Sequence, residues 1–141
     1  MWFVSKLSER WRRSGAWLAA GAVLIGAALA VGIDDNLPGV ALLYLGAAAV
    51  VLAFTHSLRT TRQFRRLALS AVATFAVSAV LHNVLEFGAQ MLGVETVVGR
   101  ALDVVQTAFF LAAVLLCPIA LIVAAIGWVA AWRRERGAVA Q

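Results

Sequence analysis

The sequence predicts an all-α protein, a four-helix antiparallel transmembrane bundle with both termini cytoplasmic. Three observations carry that expectation. Of 141 residues, 63% are hydrophobic and only 13% charged, with a mean hydropathy of +0.91. A soluble domain of this size would need far more polar surface. Four apolar runs, at about 14–33, 38–57, 67–92 and 104–132, are each long enough to cross a bilayer core. The basic residues gather on alternate connections, as an even number of spans with both ends in the cytoplasm requires. No linker or low-complexity segment divides the chain, so residues 1–141 form a single polytopic membrane domain.

Residues 1–13, MWFVSKLSERWRR, are a basic amphipathic stretch. Phe3, Leu7 and Trp11 share one helical face, which suits an interfacial helix lying along the membrane. The run at 14–33 is uncharged over 20 residues and rises about 30 Å as a helix. Ala28-Leu29-Ala30 imitates a signal-peptide cleavage site, but the apolar run continues through Ile33 and is too long for a signal core, so it is read as a retained span. Its ladder Ala22, Gly26, Ala30 is a small-residue face that admits another helix closely.

Asp34-Asp35-Asn36-Leu37-Pro38-Gly39 forms a tight turn, because proline suits a first helical turn and acids favour a helix N-terminus. The second span is thin at Gly46, Ala49 and Ala53, again suiting close packing. A basic connection follows at 58–66, then the third span, which closes at Gly93, a residue suited to a helix C-cap. Val94, Val97, Val98, Ala101, Leu102 and Val105 recur at helical spacing, so the fourth helix starts near Glu95 or Thr96 and runs to about Trp132. Pro118 should kink it. Beyond apolarity, the two hairpins show no residue-level similarity.

Orientation follows from charge. Lys6, Arg10, Arg12, Arg13, Arg59, Arg62, Arg65, Arg66, Arg133, Arg134 and Arg136 fall on one side, against Arg100 alone on the other, which also carries Asp34, Asp35, Glu95 and Asp103. The localisation implied is a cell (inner) membrane, multi-pass, with both termini inside. All five tryptophans lie near that same face. The net charge of +5 is therefore topology information, and no nucleic acid partner is expected.

The third span carries a polar stripe at every fourth residue: Ser70, Thr74, Ser78, His82, Glu86 and Gln90, with Asn83 beside His82. Each four-residue step drifts by about 40°, so the stripe winds slowly round the helix. Ser70, Thr74 and Ser78 can satisfy their hydroxyls on carbonyls one turn back. The unusual part is the outer end. His82, Asn83, Glu86 and Gln90, beneath the acidic turn containing Asp35 and near Gln106 and Arg100, form the candidate ligand- or proton-binding cluster. Arg100 is its natural counter-ion.

A metal site and a haem are not expected. The single Cys117 excludes a cysteine-based site, and His56 lies about 20 Å from the depth of His82 by helical rise, so the two cannot ligate one haem. Neither nucleophile, phosphate-loop nor metalloprotease patterns occur, so no enzyme activity, catalytic residue or cofactor is expected. Two functional readings stand. One is a non-catalytic protein that packs against itself, as a homo-oligomer, or against a larger membrane complex, through the faces of Ala22, Gly26, Ala30, Gly46, Ala49 and Ala53. The other is a small transporter or channel-like protein handling protons, ions or a polar ligand with the outer part of the third span.

Overall fold

The computed structural model describes residues 2–33 and 36–139, with side chains from 11 to 138 outside that gap. Every element among them is helical: α1 (Trp2–Val31), α2 (Leu37–Thr55), α3 (Thr61–Leu92), α4 (Val97–Leu111), a π turn (Ala112–Leu116) and α5 (Cys117–Val139). Because α4, the π turn and α5 follow without a break, four helices among the described residues are long and apolar enough to span a membrane.

Several boundaries differ from the sequence expectation. α1 continues from Trp2 through Ser14, so residues 2–13 are the first turns of the spanning helix and not a separate interfacial segment. No proline interrupts that stretch, and Ser14 Oγ spends its proton on the Ala53 carbonyl of α2 at 2.9 Å. α3 begins at Thr61 because Thr60 and Gln63 form a reciprocal capping box. Pro118, which has no N–H to give, follows a π turn in which the Cys117 N–H reaches back to Ala112 O. The widened turn accommodates the proline inside an otherwise continuous helix.

The turns after α1 and after α3 share a pattern that hydropathy concealed. After α1, Gly32 takes φ +87°; after α3, Gly93 takes φ +78°. Both lie in the left-handed region that favours glycine. The next helix is then capped by Asn36 or Thr96, whose side chain donates back to the end of the preceding helix. Asn36 Nδ2 reaches Val31 O at 2.9 Å, while Thr96 Oγ1 reaches Gly93 O at 2.8 Å and Leu92 O at 3.3 Å. Three residues past each cap stands a buried glycine, Gly39 or Gly99, at which a Cβ would collide with the carbonyl of Gly32 or Gly93. The hairpins are therefore similar residue by residue at their turns, contrary to expectation, with one residue fewer in the second.

The helices form an open row rather than a closed bundle. Among the described residues α1 touches α2 alone, α2 also touches the π turn and α5, and α3 packs on α4, the π turn and α5. The order across the row is α1, α2, last helix, α3. Its centre is the cluster Ala47, Val51, Leu115 and Ile119. At the α1–α2 crossing, Gly21 and Gly46 bring backbone to backbone, with Ile25 and Val50 filling the flanks. Farther along, the Phe64 ring lies where any side chain at Gly127 would stand.

Candidate functional site

The buried positions of α3 set which part of its stripe faces the protein. Phe64, Ala71 and Ser78 are buried at seven-residue spacing. Two turns of helix take 7.2 residues, so such a row stays in phase with a neighbouring helix while a four-residue row drifts away from it. Ser70 and Thr74 are accordingly exposed, Ser78 is buried, His82 and Glu86 are half-buried, and Gln90 is exposed again. Ser70 Oγ donates to Leu67 O at 2.9 Å, one turn back as expected.

His82 is the hinge of the cluster. Its Nδ1 lies 3.3 Å from the backbone carbonyl of Gln106 on α4, and its ring meets Phe110 at 5.1 Å between centroids, tilted by 43°. A carbonyl only accepts, so Nδ1 carries the hydrogen and Nε2 is left for the carboxylate. Nε2 stands 3.6 Å from Glu86 Oε2, an ion-pair distance. With Nδ1 already protonated, attraction between Nε2 and Oε2 needs one further proton on one of the two. Glu86 Oε1 also accepts from Gln90 Nε2 at 3.4 Å.

Gln106 is the other half-buried polar residue. Its Nε2 donates to Asp103 Oδ1 at 3.1 Å and to Thr107 Oγ1 at 3.4 Å. Exchanging the amide atoms would set two acceptors, Gln106 Oε1 and Asp103 Oδ1, against each other, so the orientation is determined by its neighbours. Its Oε1 is buried and has no partner among the described residues.

The remaining predicted residues separate. Asn83 turns to its own helix, donating from Nδ2 to Ala79 O at 2.7 Å. Arg100 is exposed and lines a surface hollow with Glu95, Ala101 and Val104; among the described residues no ion pair joins it to Glu86. It is thus not the counter-ion expected of it; the partner of Glu86 is His82. Asp35 lies outside the described residues.

For the packing residues, Gly46, Ala49 and Ala53 are buried in α2. Ala22, Gly26 and Ala30 are exposed, so they do not form the intramolecular seam. That seam on α1 runs through Ser14, Gly21 and Ala28, again at seven-residue spacing. His56 sits at the opposite end of α2 from the cluster, its Nδ1 near the carbonyls of Leu52 and Ala53 at 3.2 and 3.0 Å. Among the described residues no three His, Cys, Asp or Glu side chains converge.

Sequence reasoning missed the Gln106 carbonyl and Phe110 as partners of His82. Gln106 and Phe110 do stand four apart on one face of α4, a spacing that was legible, but nothing in the chain says which helix that face meets. Compared with known protein families, characterised proteins and solved structures, the chain matches none of them.

Proposed function

We propose that this protein is a non-catalytic, multi-pass component of a cell membrane that packs against itself or against a larger membrane complex. In this reading its four helices run antiparallel in sequence, with both termini cytoplasmic. Ser14 meeting Ala53 and His82 meeting Gln106 support the antiparallel sense, since the earlier part of one helix pairs with the later part of its neighbour. The one-sided arginine distribution supports the orientation.

The observation that carries the packing role is the open row. Among the described residues α1 is held by α2 alone, and its ladder Ala22, Gly26, Ala30 faces outward. Lipid tails are as apolar as leucine, so helices associate in membranes chiefly by close packing, to which such small residues are suited. The test is cross-linking in native membranes of Gly26→Cys in a Cys117→Ala background. A second copy at this face gives a disulfide-linked dimer, and a single mass for the dimer after mild extraction. A monomer with no cross-link and no co-purifying membrane protein would sink the reading.

A second reading, a small carrier or channel-like protein for protons, ions or a polar ligand, is favoured by the buried Gln106 Oε1, an acceptor with no partner among the described residues, on the residue whose backbone carbonyl His82 reaches. A bound polar ligand would supply the missing donor. Glu86→Gln separates the two: the packing role keeps assembly and costs little stability, while the carrier role loses transport with the fold intact.

A further inference from the structure

A cleft of about 280 Å³ opens between α2 and α3, with the last helix as its floor. Phe54 and Thr55 form one wall, Ser70 and Thr74 the other, and Cys117 and Ala120 lie at the bottom. Two of the wall hydroxyls are already committed to their own helices, Thr55 Oγ1 to Val51 O at 2.8 Å and Ser70 Oγ to Leu67 O at 2.9 Å. What they present to the cleft is mostly hydrocarbon. A slender hydrocarbon chain suits it.

Thr55 and Leu67, which line the cleft, are the lining residues of α2 and α3 nearest in sequence to the connection that joins the two helices. That connection and the first turns of α3 carry Arg59, Arg62, Arg65 and Arg66, all exposed. Arg66 lies one turn before Ser70, on the side of α3 that lines the cleft. The nearby carboxylate of Glu135 is engaged by Thr61, accepting from its backbone N–H at 3.1 Å and its hydroxyl at 3.0 Å. An apolar slot thus ends at a cluster of cations.

We propose that this cleft holds an acyl chain of an anionic glycerophospholipid whose headgroup phosphate is taken by Arg59 and Arg66. The site is independent of the outer cluster and of the α1 face. It lies at the opposite end of α3 from His82.

Native mass spectrometry of the full chain tests it, with dioleoylphosphatidylglycerol and dioleoylphosphatidylcholine offered in equal amounts. The chains are identical, so only the headgroup differs. The wild type should retain the glycerol lipid preferentially. Arg59→Gln with Arg66→Gln should abolish the preference, by about fivefold per arginine, the usual effect of one basic residue at an anionic surface. Arg133→Gln with Arg134→Gln, equal in charge but carried by α5 and not by the connection or α3, should cost far less of the preference. Ser70→Phe, which fills the slot, should lower retention of the glycerol lipid while the arginines remain. Equal retention of both lipids by the wild type would overturn the proposal. So would an equal loss from the two arginine pairs, which would reduce the cations to topology signals. A dimer that cross-links through Phe54→Cys and Ser70→Cys and binds neither lipid would assign the cleft to a second copy, and would overturn the proposal equally.

Discussion

His82 and Gln106 join α3 to α4 through one imidazole-to-carbonyl contact of 3.3 Å, made to the backbone and not to the glutamine side chain. Because the acceptor is a carbonyl, any residue at 106 preserves it, whereas any change at 82 that lacks a donor loses it. His82→Phe should keep the ring contact with Phe110 while losing the Glu86 contact and the hydrogen bond, the latter about 0.5–1.5 kcal/mol. His82→Ala should lose the stack as well, costing about 0.5–1.5 kcal/mol more. Denaturation in detergent, followed by helicity, ranks the two; equal effects would deny the ring contact a role.

Glu86→Gln keeps the acceptor for Gln90 and removes the charge facing His82. In the packing reading it should cost less than about 1 kcal/mol, the scale of a polar contact between membrane helices, and leave the oligomeric state intact. Mass in detergent and a melting curve check this. A variant that melts as the wild type does but loses a proton-coupled flux in vesicles would instead support the carrier reading.

Gly39 and Gly99 occupy corresponding places in the turns after α1 and after α3, each against the carbonyl of a glycine in the left-handed region. Alanine at either should force that turn apart and destabilise by about 1–3 kcal/mol, the usual cost of overpacking. Gly26→Ala, where a Cβ meets nothing within 4 Å in the chain, should be nearly silent in a monomer. Parallel melting curves of the three variants make the comparison.

Both termini and the 58–66 connection should lie on one side of the membrane, and Arg100 on the other. In a Cys117→Ala background, Gln63→Cys should resist a membrane-impermeant maleimide added outside intact cells, and Arg100→Cys should react. The reverse labelling pattern would invert the proposed orientation.

Two features of the chain invited a reading at four-residue spacing, and the structure uses seven in both. The ladder Ala22, Gly26, Ala30 is conspicuous in the sequence, yet Gly21 and Ala28 meet α2. The stripe from Ser70 to Gln90 is equally regular, yet it enters the protein only around Ser78 and His82. α1 has alanine and glycine on more than one face, and composition alone does not choose among them. The turn similarity between Gly32–Gly39 and Gly93–Gly99 was legible, but a one-residue difference in length and the apolar background hid it.

The sequence by itself determined the four apolar segments, their approximate limits, the helix starts beside Pro38 and near Thr96 and the unequal distribution of charge. These depend on hydropathy, backbone chemistry and local spacing, all of which act within a single segment. Only the tertiary structure decided that the helices form an open row, that Gly21 crosses Gly46, that His82 rather than Arg100 partners Glu86, and that α2 and α3 leave a cleft between them. In water, burial marks which face of a helix turns inward. In a membrane, lipid and protein interior are equally apolar, so that mark is weak and the choice falls to shape, to small residues that meet a complementary surface and to polar groups that find a partner.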